Sequence, residues 1–473
     1  MHFTKTLPNI QKKVALLLER YPVISPIVNS INNNKGQAFL VGGAVRDLIL
    51  GCIAHDLDIE VHGISLEELG SILSEFGPVS YVGKSFGVLK IHGMSIDWSL
   101  PRTDSSGRKP EVVIDPHMDI VEALRRRDLT MNAMAINLST YEFIDPFNGY
   151  EDLQACILRS PDVQFFTEDP LRFYRIMQFM ARFEMWPDEA LDAVCKTMDI
   201  SQVSIERIEG EFEKMLLKSR KPSLGVRWLD KLERLKEILP EMYATKSVPQ
   251  NPEWHPEGDV FEHLMQAVDA AAVLCYENSE EKLILMYAAL CHDIGKVKTT
   301  VLKDGKWRSP GHAEEGAPLA KKLLKRITRK VKLIESVVRL VKYHMLPMNF
   351  IQSNASLAAY KRLALKLDGY ASLCMLAKLV TADRRGRNAQ KGVPLTGPVD
   401  IAEQFIKRAQ QAKVFTHVEE PLLHGRDVKD LVEPGPLMGK VLKYAYELQL
   451  KRGIKDKEIL KKHVKRWLAS QAL

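Results

Sequence analysis

Apolar residues change their spacing once along this chain. Between residues 36 and 100 they come in short runs: AFLVGG, HDLDIEVHG, PVSYVG, FGVLKIHG and SIDWSL. Short apolar runs set among polar positions predict strands. Between them, VRDLIL and SLEELGSILSEF carry the three-to-four spacing of amphipathic helices. From about residue 150 the helical period takes over, in LRFYRIMQFMARF, IEGEFEKMLL, VFEHLMQAVDAAAVL, KLILMYAALCHDI, LIESVVRLVKYH and VLKYAYELQL. A mixed sheet with helices, followed by helices alone, predicts an α+β protein. Segments rich in Pro, Gly and Asn at 246–259 (KSVPQNPEWHPEGD) and 388–398 (NAQKGVPLTGP) mark breaks. The expected domains are a sheet-bearing head over 1–150, a helical neck over 151–245, a helical body over 246–390 and a helical tail over 391–473. No internal repeat or low-complexity tract interrupts this pattern.

Composition narrows the class. A chain of 473 residues with 45% hydrophobic and 27% charged residues fits a soluble protein with several cores. No apolar run reaches membrane-spanning length, and MHFTKTLPNIQKK lacks the apolar core of a signal peptide. The six cysteines (Cys52, Cys156, Cys195, Cys275, Cys291, Cys374) show no CxxC spacing. They read as free thiols in a reducing compartment, so a cytoplasmic location is expected. The net charge of +7 is uneven: Lys440–Leu473 holds ten Lys/Arg against three Asp/Glu, and KKLLKRITRKVK at 321–332 holds seven Lys/Arg and no acid. Such patches suit a polyanion, though each alone also fits a solvated helix face.

The first chemical constellation is FLVGGAVRDLILGCIAHDLDIEVHG. A strand ending at Gly42-Gly43 and a helix starting near Ala44 let phosphate oxygens approach the backbone. Arg46, one turn in, is placed to clamp a phosphate. Asp56 and Asp58 follow as Asp-x-Asp on an apparent strand, where alternation puts both carboxylates on one face. That arrangement suits a pair of Mg²⁺ ions, one activating a hydroxyl and one steadying pyrophosphate. Asp97, in SIDWSL, is the candidate third carboxylate. A lone Asp-x-Asp also occurs on turns and solvated strands; the preceding Gly-Gly-x-x-Arg-Asp and the third acid favour the metal reading.

Gly-Gly-Ala-Val-Arg-Asp with Asp56-x-Asp58-x-Glu60-Val61 resembles the opening motif of the class II tRNA nucleotidyltransferase and bacterial poly(A) polymerase family. Further motifs follow in that family's order. Arg126-Arg127-Asp128-Leu129-Thr130-Met131-Asn132-Ala133 resembles its ribose-reading motif. Asp145-Pro146-Phe147-Asn148-Gly149 with Asp152-Leu153 resembles its hinge motif, with Asn148 where the family usually has a second Gly. Glu168-Asp169-Pro170-Leu171-Arg172 resembles the motif that reads the incoming base, and Glu206-Arg207-Ile208 with Glu211 resembles the helix cap after it. The match covers about residues 36–220 and continues more loosely to the C-terminus. The resemblance implies a nucleotidyltransferase palm, Mg²⁺ as cofactor, CTP and ATP as substrates and tRNA as acceptor. It implies that Arg127, Asp128 and Asn132 hold the ribose and triphosphate.

The base-reading motif makes physical sense by itself. Asp169 and Arg172 are three apart, which predicts one helical face. A carboxylate accepts from an exocyclic amino group and a guanidinium donates to a ring nitrogen or carbonyl. Cytosine and adenine both present an amino group beside an acceptor, so such a side-chain pair imitates a Watson–Crick partner. A plain surface ion pair is the alternative. Arg175 joins the candidate nucleotide-binding residues. Between Leu100 and Arg126, PRTDSSGRKPEVVIDPHMDIVEALRR is polar in its first half and expected to be mobile. It resembles the family's loop for switching from CTP to ATP, in a shorter form without the glycine-rich stretch.

A second constellation joins His263 (VFEHLMQ), His292-Asp293 (ALCHDIGK) and Asp383 (VTADRRGR), all in helical patterns. Adjacent His-Asp with an outer His and Asp makes a mixed N/O metal site. The ordered set resembles the HD phosphohydrolase motif, and His312 and His344 are further residues that such sites recruit for a second metal. The resemblance admits a divalent transition metal here, with either a catalytic or a tRNA-cradling role.

The expected reaction is attack of an RNA 3′-hydroxyl on the α-phosphate of CTP or ATP, releasing pyrophosphate, with Asp56 and Asp58 holding Mg²⁺ and Asp97 as third acid. The nearer alternative is a poly(A) polymerase or A-adding enzyme. The run after the acids, through Val82-Gly83-Lys84-Ser85-Phe86-Gly87, looks closer to the tRNA-repair branch. The other alternative is an HD phosphohydrolase whose N-terminal domain only binds RNA; the intact acids argue against it.

Overall fold

The computed structural model describes residues 9–52, 56–81, 87–104 and 112–471. Residues 82–86, and residues 105–111 of the stretch expected to be mobile, lie outside the described residues. The chain forms two compact units, Met1–Glu211 with Lys231–Glu233, and Phe212–Asp230 with Arg234–Leu473. This division cuts through the segment read as a neck at 151–245.

In the first unit the five short apolar runs become strands β1 (Gln37–Val41), β2 (Leu57–His62), β3 (Val79–Tyr81), β4 (Val88–Ile91) and β5 (Ile96–Ser99), and four strands not expected from the pattern follow: β6 (Arg102–Asp104), β7 (Val112–Ile114), β8 (Ala135–Asn137) and β9 (Phe143–Ile144). Seven make one mixed sheet in the order β3-β4-β5-β2-β1-β8-β9, and β6 and β7 pair separately. Within that sheet only β2 and β5 run parallel. Helices Ile10–Arg20, Ile24–Asn33 and Leu66–Ser74 supply Val14, Ile27, Ile31, Leu69 and Leu73 to a core shared with Leu40, Ile59, Leu89 and Trp98. The first two of these helices precede any element expected from the pattern. Ser65 and Glu68 close a reciprocal capping box on the third. Phe39, Val41 and Ala135 join a second cluster with Leu124 and Ala133, so β1 is buried from both sides.

Helices Val163–Glu168, Leu171–Phe183 and Glu189–Thr197 follow, with the short parallel pair β10 (Ile157–Leu158) and β11 (Trp186–Pro187). Asn148, in place of the second glycine, adopts φ 58°, a left-handed conformation that asparagine tolerates. Gly149 has no such substitute, since a Cβ there would lie 2.1 Å from the carbonyl oxygen of Thr130.

The second unit is helical apart from a hairpin, β12 (Val301–Lys303) with β13 (Lys306–Arg308). Helix Val260–Ala272 is buried along its whole length and starts on Asp259, whose side chain accepts from the Glu262 amide. Helices Ser279–Cys291 and Leu373–Arg385, capped by Asn278 and Ser372, pack against it. The basic helices Pro436–Arg452 and Lys457–Gln471 share a small core around Val441, Ala445, Leu460 and Val464. Among the described residues no single helix is long and apolar enough to cross a membrane.

Candidate active site and candidate metal centre

In the first unit, the parallel pairing of β2 with β5 puts Asp58 directly beside Asp97. Asp56 is exposed and lies just before β2, not within it. Asp97 is paired with Lys90 of β4 at 2.7 Å. Asp58 opens to solvent, yet the protein packed around it raises its carboxyl above the ordinary value; Arg127 opposes this, and the charges of Asp97 and Asp56 add to it. Three carboxylates that repel one another fit a divalent cation. Gly42 closes the floor: it sits at φ 70°, and a Cβ there would lie 2.6 Å from Arg127 Nη1 and 3.8 Å from Asp58 Oδ2.

Behind this face runs a buried chain of polar side chains. Arg46 donates to Asn132 Oδ1 at 2.6 Å, and Asn132 donates to Asp128 at 3.0 Å. Arg175 donates to the other Asp128 oxygen at 2.6 Å. Burial alone would raise the Asp128 carboxyl, but Arg175 and the Asn132 hydrogen bond win and hold it at about 2. Arg127 pairs with Glu60 at 3.4 Å.

A cleft of about 510 Å³ opens over these residues, lined among others by Asp58, Asp97, Arg127, Asp128, Asp169, Arg172 and Arg175. Two expectations change here. Arg46 is buried, with its guanidinium on Asp47 and Asn132 and 4.6 Å from the Phe183 ring. It therefore supports Asn132 instead of reaching a phosphate, and neither residue lines the cleft. Asp169 and Arg172 do not share a helical face, because the helix starts at Leu171 and Asp169 is extended at φ −116°, ψ 100°. The residue before a proline is pushed out of the helical region, and Pro170 has this effect on Asp169. Asp169 caps Leu171 and is gripped through both oxygens by Arg207 at 2.9 and 3.0 Å. Arg172 donates to the carbonyls of Phe165 and Arg126. Both still line the one cleft. Glu60, Arg126 and Arg207 stood in the sequence motifs without a site role, and Lys90 was not named there; all four belong to the site. For Arg207 the signal was present in its Glu-Arg-Ile motif.

In the second unit, His263, His292, Asp293 and Asp383 converge. His263 Nε2 lies 3.1 Å from His292 Nε2, 3.1 Å from Asp383 Oδ1 and 3.5 Å from Asp293 Oδ2. His292 Nε2 lies 3.5 Å from Asp293 Oδ2 and 3.8 Å from Asp383 Oδ1. Ligand atoms around one tetrahedral ion stand roughly 3.4 Å apart. Asp293 Oδ1 faces a second pair, His312 Nε2 at 3.1 Å and His344 Nε2 at 3.6 Å, themselves 3.1 Å apart.

The far side of each ring fixes its tautomer. Nδ1 of His292, His312 and His344 donates to the carbonyls of Ala289, Ser309 and Val341 at 2.7–2.9 Å. His263 Nδ1 meets Glu257 Oε1 at 2.8 Å, as does His255 Nδ1. With Nδ1 committed to those carbonyls, His292, His312 and His344 all turn Nε2 inward, toward one another and the Asp293 carboxylate. Burial drives His292 down to about 3, against the pull of Asp293, so it enters the cluster as a neutral donor. Such a set fits two cations bridged by Asp293. Arg387 grips Asp383 at 2.7 and 2.9 Å, and Lys296 contacts Asp293 at 2.7 Å. Glu257, His255, Lys296 and Arg387 are further residues that sequence reasoning missed. His255-x-Glu257 shortly before His263 was the available signal.

Each unit matches a known family model. Residues 38–159 match the poly A polymerase head domain and residues 260–373 match the HD domain. The multifunctional CCA protein of Mannheimia succiniciproducens is 36% identical over 293 residues, covering 59% of this chain and 67% of that protein. That of Nitrosospira multiformis is 36% identical over 318 residues, covering 65% and 73%. Among solved structures, the Thermotoga maritima CCA-adding enzyme complexed with tRNA matches with a TM-score of 0.59 at 20% identity, over 100% of both chains. The Bacillus stearothermophilus enzyme in complex with CTP matches with a TM-score of 0.64 at 18% identity, over 99% of this chain and 100% of that one. With the order of motifs, the mixed sheet and the HD cluster, these relatives show that the chain belongs to the multifunctional CCA protein family.

Proposed function

We infer that this chain is a tRNA nucleotidyltransferase that adds CMP and AMP from CTP and ATP to the tRNA 3′ end, without a nucleic-acid template, releasing pyrophosphate. The observation that carries the reading is the pairing of Asp58 with Asp97 in a cleft that is also lined by Arg102, Arg126, Arg127, Arg172, Arg175 and Arg207. Asp56 and Asp58 hold Mg²⁺, with Asp97 as third acid. When bound there, the ion activates the attacking hydroxyl and offsets charge on the departing pyrophosphate. Arg127 and Arg175 face the triphosphate and ribose, and Asp128 stays ionised to accept from the 2′-hydroxyl. Asp169, held by Arg207, accepts the amino group of cytosine or adenine while Arg172 donates beside it. Arg46 and Asn132 position Asp128 from behind. A cytoplasmic setting fits this role.

The test is Asp56→Ala and Asp58→Ala. Both are expected to abolish addition while keeping the helical signature and tRNA binding. Near-normal addition by both variants would overturn the metal assignment.

A second reading applies to the HD cluster, favoured by its two facing sets of inward Nε2 atoms. We propose a metal-dependent phosphohydrolase there, with His263, His292, Asp293 and Asp383 holding one divalent transition metal and His312, His344 and Asp293 a second. The double variant His292→Ala/Asp293→Ala should lose hydrolysis tested with Ni²⁺, Mn²⁺ or Mg²⁺ and keep nucleotide addition. Absence of hydrolysis by the unaltered protein with every metal would leave a tRNA-cradling role.

A further inference from the structure

Hairpin β12–β13 exposes all six of its strand residues. Its register pairs Val301 with Arg308, Leu302 with Trp307 and Lys303 with Lys306. Strand alternation therefore puts Lys303, Lys306 and Arg308 on one face and Leu302 with Trp307 on the other. Two lysines directly opposite each other repel, and a two-stranded ribbon has little stability to spare. Residues 298–308 hold four basic side chains and one acid, and of the four Lys298 meets Glu315 at 3.1 Å. Lys306 meets Glu253 at 3.2 Å, but both are mostly exposed, and such pairs neutralise little.

Next to Glu253 stands Trp254, 59% exposed; on the hairpin Leu302 is 60% and Trp307 36% exposed. Trp254 leaves indole surface in water beside the acid that meets Lys306 on the basic face, and Trp307 leaves more on the opposite face of the same ribbon. Both segments connect directly to the HD centre. Trp254 precedes His255, which shares Glu257 with His263. Ser309, which follows β13, accepts from His312 Nδ1 through its carbonyl. A single-stranded nucleic acid satisfies both needs of this surface, since phosphates supply the anions and every base has a face to stack on indole. An acidic peptide would satisfy only the charge.

We propose that β12–β13 and Trp254 form a landing surface for the 3′-terminal nucleotides of an RNA, which presents its terminal phosphate to the HD centre. The proposal rests on the phosphohydrolase reading of that centre. The metal-loaded full-length protein is assayed on an oligoribonucleotide ending in a 3′-phosphate, with p-nitrophenyl phosphate as the reference substrate. Trp254→Ala, and separately Lys303→Ala/Lys306→Ala/Arg308→Ala, are expected to raise KM for the oligoribonucleotide roughly tenfold or more, with kcat and the reference kinetics unmoved. All these side chains are exposed, so the fold is not at stake. An unchanged KM would overturn the proposal. Equal competition by poly-glutamate and by the oligoribonucleotide would overturn it in favour of an acidic protein partner. If the unaltered protein hydrolyses neither substrate with any metal, the phosphohydrolase reading falls. The surface is then judged by photocrosslinking an RNA with a 3′-terminal 4-thiouridine. Crosslinks on Trp254 or residues 301–308 uphold it, and none there overturns it.

Discussion

The two candidate centres handle buried charge in opposite ways. In the palm the carboxylates face outward, Asp56 and Asp58 are exposed, and the ordered polar chain Arg46–Asn132–Asp128–Arg175 lies behind them. In the HD body the ligands face one another at 3.1–3.8 Å, and His263 and His292 have no exposed surface. The palm cleft is thus open to solvent on its acidic side, whereas the HD cluster is closed around its own side chains. On the proposed reading, the open site suits a growing RNA end and exchanging nucleotides, and the closed one suits resident cations.

The contrast breaks most severely if the palm acids are dispensable. Asp58→Ala is expected to lower addition by roughly 10³-fold or more, the equivalent of several kcal/mol of charge stabilisation. HD hydrolysis should be unchanged in the same preparation. A parallel loss of both activities would mean that the centres are not independent.

Effects of about 10- to 100-fold are expected at two supporting positions. Glu257→Gln removes the carboxylate that orients His263, so metal affinity of the HD body should fall by about that factor, read by titration with Mn²⁺ or Ni²⁺. Unchanged affinity would make Glu257 a packing residue. Arg172→Ala should shift the kcat/KM ratio of CTP and ATP over UTP and GTP by a similar factor, as expected for loss of a charged hydrogen bond worth about 1.5–3 kcal/mol. Four rates that fall together would confine Arg172 to holding the carbonyls of Phe165 and Arg126.

The smallest effect concerns Asp269, a buried carboxylate of the HD body without an arginine partner like that of Asp128. Burial pushes its carboxyl up to about 7, against hydrogen bonds from the Ser223 hydroxyl and amide. Its folded pKa lies above the unfolded value, so its neutral form stabilises the fold at low pH. That contribution is lost as pH rises from about 4 through 7. Asp269→Asn should therefore gain Tm relative to the parent as pH increases over that range. A constant difference in Tm would contradict the assignment.

Much of this contrast was legible in the chain. The Gly-Gly turn and the Asp-x-Asp spacing pointed to the palm acids, although Asp56 precedes β2 and strand alternation reaches only Asp58; the ordered His, His-Asp and Asp marked the HD cluster. Residue type does not report burial, however, so Arg46 and Asn132 read as ligand contacts when they are the support behind Asp128. The Asp58–Asp97 register was hidden because β5 pairs with β2 across two intervening strands. The position of Asp169 was readable, since Pro170 forbids the helical turn that a spacing of three suggested. Glu257 and His255 lie in an irregular segment with no period to place them against the metal ligands.

CCA synthesis at the palm is read most plainly on the RNA product. tRNA ending at its discriminator base, at C, and at CC is incubated with each nucleotide singly, and the 3′ ends are sequenced. C is expected on the first two, and a single A only on the third. Runs of A on all three ends, or no addition of C to any of them, would contradict it.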